Sequence, residues 1–226
     1  MVLMATRTKR AERRTDALSK ERIVEAAIEI LDTEGESALT VRALTARLAT
    51  GAGAVYWHVA GKNDLLAAAT DDVIARAATG AAVGAEPREA IRAIALGVFD
   101  AIDAHPWVGA QLSREPWQFA VLQIFEGVGG QLQALGVPQR AQFDCASALV
   151  NYVIGLAAQY AAGARLIPPD TDRTAFLAAA AARWTQLDPA QYPFAHQVAA
   201  QLPEHDDREQ FLAGIDLILA GIATVR

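Results

Sequence analysis

The stretch LTVRALTARLATGAGAVYWHVAGKNDLL, residues 39–66, sets a short apolar helix beside a run of small residues that ends in three large rings. Thr40 can cap a helix over VRALTARL, where Val41, Leu44 and Leu48 fall on one side. Residues 49–51, ATG, read as a tight turn. A second short helix follows, with little side-chain bulk until Tyr56, Trp57 and His58. Two short helices with a turn between them outline a helix-turn-helix, whose second helix enters the major groove. A stem of Gly and Ala lets the backbone approach DNA closely, and the polar ring tips can then donate to phosphates. Lys62, at the start of the next helix, adds a charge beside that helix's free amides.

Outward from this stretch the whole chain reads as helix. Before it, SKERIVEAAIEILDTEG (19–35) has Ser19 to cap, Gly35 to stop, and Ile23, Ala26, Ala27, Ile30 and Leu31 on one buried face. After it, a helix from Lys62 runs to about Arg76, and ATGAAVGAEP (78–87) reads as a linker. Pro87 suits a first helical position, and Ile91, Ile94, Val98 and Ile102 mark a helix closed by Pro106. EPWQFAVLQIFEGVGGQLQALG (115–136) and QRAQFDCASALVNYVIGLAAQYAAG (139–163) are two long helices. TAFLAAAAARWTQL (174–187) is another, and DREQFLAGIDLILAGI (207–222), capped near Asp206 or Asp207, is the last. The expected class is all-α: a basic arm (1–18), a helix-turn-helix unit (19–62) and a larger helical unit (63–226).

Composition agrees. Of 226 residues, 53% are hydrophobic and 20% charged, much of the apolar share being alanine, which favours helix. No uninterrupted apolar run reaches membrane-spanning length, and the basic start lacks an apolar h-region, so the expectation is a cytoplasmic protein without membrane contact. A single cysteine, Cys145, excludes an internal disulfide and paired-cysteine zinc sites, and reads as a small core residue. Net charge is −6, yet residues 1–62 carry ten Lys+Arg against eight Asp+Glu, so the basic excess is confined to the leading quarter. That polarity suits a nucleic-acid-facing end on an acidic body, or a solvated tail.

Thr40-x-Arg42-x-Leu44, Leu48, Tyr56-Trp57-His58-Val59, Lys62 and Leu65-Leu66 together resemble the DNA-binding domain of the tetracycline-repressor (TetR) family. The last helix and ALVNYVIGLAAQY (148–160) are similar to that family's dimerisation helices. The resemblance implies a ligand-responsive regulator, most often a repressor, bound to a palindromic double-stranded operator as a homodimer and released by a small apolar effector. It implies that Arg42 contacts a base or phosphate, that Tyr56, His58 and Lys62 contact phosphates, and that Ala52, Gly53 and Ala54 face the bases. None of those three has a polar side chain, so readout falls to Arg42, to alanine methyl contacts or to DNA shape. Trp57 is expected to pack with its N–H free for phosphate, and Val59 to be core. Arg22 and Arg47 read as solvated or near phosphate.

For the larger unit, Phe99, Trp107, Trp117 and Phe125 are each plausible core, and together would suit an apolar effector cavity. His105 matches a metal-ligating histidine of the family's tetracycline-binding branch, but Gln159 stands where that site has a carboxylate. His105 therefore reads as a helix-ending histidine against the core, with a pocket wall second, and neither metal nor cofactor is expected. Asn151 and Gln159 share one helix face with Gly155 between them, suiting inter-subunit hydrogen bonds or pocket anchors. Phe211, Ile215, Ile218, Leu219 and Ile222 mark an apolar face for a second copy. His58, His105, His196 and His205 show no His-x-x-x-His or Glu-x-x-His spacing, which argues against a helical enzyme. A ligand-independent architectural DNA binder is the other alternative.

Overall fold

The structure is a computed structural model that describes residues 18–78, 84–164 and 171–225. Eleven α-helices and two 3-10 turns occupy them, with no strand among the described residues. Helix α1 (Lys20–Thr33) is capped by Ser19, whose hydroxyl accepts from the Arg22 amide. Its buried side holds the five residues that the helical period marks, and Val24. Gly35 ends it with φ +81°, a left-handed conformation that favours glycine. A 3-10 turn (Glu36–Ala38) leads to α2 (Val41–Arg47), where the Thr40 hydroxyl accepts from the Ala43 amide. Helix α3 (Ala52–Tyr56) follows. Leu44, Val55 and Val59 are buried in a core shared with α1, as expected for Val59. Arg47 is exposed, as a solvated residue would be, and is also ion-paired. It pairs with Glu29 at 3.2 Å and Glu34 at 3.8 Å, strapping α2 to α1.

The turn between α2 and α3 contains Ala49 at φ +49°. For an L residue with a Cβ that conformation costs about 1–2 kcal/mol. Ala49→Gly is expected to raise stability by about 1 kcal/mol, after allowing for the greater freedom of glycine when unfolded. A denaturation midpoint that stays put or falls would remove strain from the account of this turn.

Helix α4 (Lys62–Ala78) buries Leu65, Leu66, Ala69, Val73 and Ile74, and packs both on α1 and on the larger unit. A boundary at residue 62 thus falls at the start of a helix that both units share. Residues 79–83 of the expected linker, and the basic arm up to residue 17, lie outside the described residues. The larger unit continues with α5 (Pro87–Ala104), α6 (Pro106–Arg114), α7 (Phe119–Ala134) and α8 (Gln139–Ala164). Helices α5 and α6 are nearly continuous but break at His105 (φ −128°, ψ 72°), immediately before Pro106. The same chemistry corrects the start of α7. The expected helix began at Glu115, but Pro116 holds Glu115 away from helical angles (φ −123°, ψ 72°), so Trp117 lies in a loop.

Helix α8 has 26 residues and is long and apolar enough to span a bilayer by those measures alone. Here it packs on α5, α6, α7 and α11, as a central helix of the larger unit. Helices α9 (Arg173–Thr185) and α10 (Pro193–Val198) and the 3-10 turn Ala199–Glu204 pack on one another. The sequence reading missed α6, α10 and this turn. Helix α11 (Asp207–Ile222) is capped by Asp206, whose carboxylate accepts from the Glu209 amide. Its apolar face needs correcting. Phe211, Ile215, Leu219 and Ile222 are buried inside the protomer, because α5 and α8 already cover that side, and Ile218 is half-buried. The outward residues are Leu217, 75% exposed, with Ala213, Ala220 and Gly221.

Candidate nucleic-acid interface

The helix-turn-helix presents its polar groups to solvent. Arg42 and Thr40 are exposed at the start of α2, and Ala52, Gly53 and Ala54 are exposed along α3. At Gly53 nothing lies within 4 Å of where a Cβ would stand, so this surface is free for a close backbone approach. Tyr56 is exposed, and His58 is half-buried. Trp57 does not pack: it is 87% exposed, because Val55 and Val59 on either side take the interior positions. Lys62 is engaged. Its Nζ donates to the Glu36 carbonyl oxygen at 2.7 Å and lies 4.0 Å from the Glu36 carboxylate, so contact with a phosphate requires it to swing away.

A second set of contacts joins this unit to the larger one. Asp32, near the end of α1, accepts from the Trp107 indole Nε1 at 2.7 Å and is 2.8 Å from His105 Nδ1. Trp107 is only 5% exposed, so Asp32 satisfies a donor that would otherwise be buried alone. Arg114, at the other end of α6, holds Glu36 through two parallel hydrogen bonds of 2.7 and 3.1 Å. Hydrogen bonding from Arg114 keeps the Glu36 carboxyl below its ordinary range, against a smaller opposing effect of burial. The sign is that of a depressed carboxylate: the link is present at neutral pH and is lost as pH falls through that lowered value. Between these anchors lies a cleft of about 380 Å³ that Asp32, Glu36, Pro106 and Trp107 help to line.

The effector candidates do not converge on one cavity among the described clefts. Phe99 is buried against Phe211, with ring centroids 4.8 Å apart, and Tyr160, at 6.0 Å. Burial is also the main reason that the Tyr160 hydroxyl is pushed up to about 12. Trp107 and His105 face Asp32 instead, and Trp117, 95% exposed, lines no interior space. Phe125 is half-buried beside the exposed Phe143, with centroids 5.8 Å apart. Asn151, Gly155 and Gln159 form an exposed stripe on α8. No group of three His, Cys, Asp or Glu side chains suited to a metal ion occurs among the described residues.

The profile described as "Bacterial regulatory proteins, tetR family" matches residues 23–69, and "Tetracyclin repressor-like, C-terminal domain" matches residues 84–226. The transcriptional regulator SCO7222 of Streptomyces coelicolor, described as a TetR, is 51% identical in a structure that superposes with a TM-score of 0.84, over 93% of this chain and 100% of that one. The chain belongs to the TetR family.

Members of the TetR family are transcriptional regulators and not enzymes. An HTH-type transcriptional regulator of Saccharopolyspora erythraea is 33% identical over 150 residues, 66% of this chain. The chain spans 64% of that regulator's length, and 53% of the length of the repressor DrrR1 of Streptomyces coeruleorubidus. Streptomyces coelicolor ActR, in complex with actinorhodin, shares the TetR fold at 22% identity and a TM-score of 0.72, over 91% of this chain and 95% of that one. Within this TetR fold the exposed residues of α2 and α3 were legible because a short motif carries them. Asp32, Glu36 and Arg114 were missed, since no local spacing joins α1 to a helix more than 70 residues away.

Proposed function

We propose that the protein is a repressor that binds a palindromic double-stranded DNA operator as a homodimer and leaves it when a small, mostly apolar molecule binds the larger unit. The observation that carries this reading is the outward face of α2 and α3. Arg42, Tyr56 and Trp57 stand exposed over an interior of Leu44, Val55 and Val59, behind a stem with no bulk to hold DNA away. A recognition helix this poor in donors needs a second copy, whose helix lies about one DNA turn away, roughly 34–36 Å, for useful specificity. The exposed α8 stripe with its open Gly155, and the exposed Leu217, support that second copy and favour Asn151 and Gln159 as inter-subunit groups over pocket anchors. Phe99 packs with Tyr160 and Phe211 as core, and actinorhodin is the first probe to try for an effector, given ActR. A preference of about 2.7 kcal/mol for the non-binding state would weaken operator binding roughly a hundredfold. Such a regulator works in the cytoplasm, alongside its operator.

The test is selection of duplexes from a random library, followed by titration across salt. Enriched duplexes should be palindromic, and log affinity should fall with log salt by roughly 0.9 per neutralised phosphate. Arg42→Ala is expected to change which duplexes are preferred. Lys62→Ala should weaken all of them alike and flatten the slope by about one unit. An unchanged slope in Lys62→Ala would leave Lys62 as a clasp on Glu36 and remove it from the interface. Failure to enrich any duplex would defeat the reading as a whole.

A further inference from the structure

We infer that the cleft between α4, α6 and the start of α7 binds a small neutral molecule with a carbonyl next to an N–H or O–H, held by the Gln111 and Gln118 amides. Such a site stands apart from the reading of the chain as a DNA-binding regulator. The cleft has a volume of about 380 Å³. Leu66 and Ala67 line it from α4, Gln111 and Arg114 from α6, and Glu115 and Gln118 from the loop before α7. It shares no lining residue with the cleft beside Asp32 and Trp107. Gln111 is only 5% exposed, and its side-chain amide has no hydrogen-bond partner among the described residues. The Gln118 Nε2 and Oε1 are both closed off from solvent, and neither has a partner there either. Leaving a buried amide unpaired is destabilising, and the great majority of buried polar atoms in proteins are paired. Two such side chains on the wall of one cleft suit a partner from outside the chain. Turning the Gln118 amide toward that partner breaks no hydrogen bond, since it makes none.

The lining decides the chemistry of that partner. A primary amide offers a carbonyl that accepts and an NH2 that donates, so two of them call for a ligand with donor and acceptor side by side. An anion is not called for. The Arg114 guanidinium is held by Glu36 through two hydrogen bonds, and an anion would have to displace that carboxylate to reach it. The positive start of α7 is already met by Asp71 of α4, whose carboxylate accepts from the Ala120 amide at 2.8 Å. A cation gains little, because Glu115 is exposed and its attraction is screened by water. Leu66, which is buried, and Ala67 supply an apolar wall for the body of the ligand. Cyclic amides, imides and hydroxy-ketones fit this description.

The test is a fluorine NMR titration of the full-length protein with 5-fluoro-2-pyridone, a ring amide whose carbonyl stands beside its N–H. Its N-methyl derivative, which lacks that donor, is the control. Wild-type protein is expected to bind the pyridone with a dissociation constant of about 1 mM, as suits a ligand of about eight non-hydrogen atoms. The N-methyl compound should bind about fivefold more weakly, or worse. Gln111→Leu keeps the bulk of the side chain and removes the amide. It should weaken the pyridone by about tenfold while leaving the melting temperature unchanged or higher, because the amide it replaces is buried without a partner. Gln118→Leu should weaken the pyridone by about fivefold. Ala67→Phe, which fills the cleft from α4 and keeps both amides, should abolish binding. Wild-type affinity in Gln111→Leu overturns the site, and so does wild-type affinity in Ala67→Phe, since the probe would then sit elsewhere. Equal affinity for the pyridone and its N-methyl derivative overturns the paired donor and acceptor. No binding to wild-type protein up to about 20 mM overturns the site as a whole. Should Gln111→Leu fail to fold, Gln118→Leu and Ala67→Phe face the same criteria. None of these readouts involves DNA, so their failure leaves the regulator reading intact, and a chain that enriches no duplex leaves this site intact.

Discussion

Leu217→Glu should yield a folded protomer that no longer dimerises and no longer binds a palindromic duplex tightly. Leu217 is 75% exposed on α11, and its neighbours Ala213, Ala220 and Gly221 are small and exposed as well. Around a two-fold axis each copy would bring its own glutamate into the shared surface. Burying charge without a partner costs about 3–5 kcal/mol, so dimer dissociation should rise by more than about a hundredfold. The control is two residues away. Ile215 is fully buried in the protomer, so Ile215→Glu should unfold the larger unit and not merely separate the copies. Sedimentation at micromolar concentration, paired with circular dichroism, distinguishes the two. A Leu217→Glu protein that stays dimeric would move the interface off this face.

The largest effect on stability is expected from Phe211→Ala. The ring is fully buried, stacked against Tyr152 at 5.8 Å and tilted against Phe99 at 4.8 Å. Removing it strips contacts from α5, α8 and α11 together and leaves a cavity, at a cost of about 3–5 kcal/mol. For a chain of this size that lowers the melting temperature by about 10 °C. The Tyr152 hydroxyl donates to the Phe211 carbonyl at 3.2 Å, a main-chain contact that the substitution leaves in place, so the loss should report packing alone. A calorimetric shift under about 1 kcal/mol would mean that the ring is not the keystone its burial suggests.

Helix boundaries were mostly legible where local chemistry sets them. Ser19, Thr40 and Asp206 cap the helices at the places where an oxygen-bearing side chain precedes an apolar period, and Gly35 stops α1 where a left-handed residue is needed. The exception at α7 was local too, since Pro116 carried the signal that displaced Trp117 from a helix into a loop. The motif over α2 and α3 was legible for the same reason: its residues lie within one short stretch, with Arg42, Tyr56 and Trp57 exposed and Leu44, Val55 and Val59 inside.

Two things were out of reach of one-dimensional reading. The period of α11 reveals an apolar face but not what covers it; the protomer's own α5 and α8 do, which leaves Leu217 and not Ile215 looking outward. The aromatic residues of the larger unit carry the same composition signal whether they meet or not. Phe99 found Phe211, Trp107 found Asp32, and Trp117 remained in solvent. What the sequence determined by itself is the all-helical class, the caps and the helix-turn-helix, because each depends on neighbours within a few residues. What only the tertiary structure decided is what covers each apolar face, and the anchoring of α6 to Asp32 and Glu36. Those depend on groups brought together across some 75 residues of chain, where spacing along the sequence carries no information about distance in space.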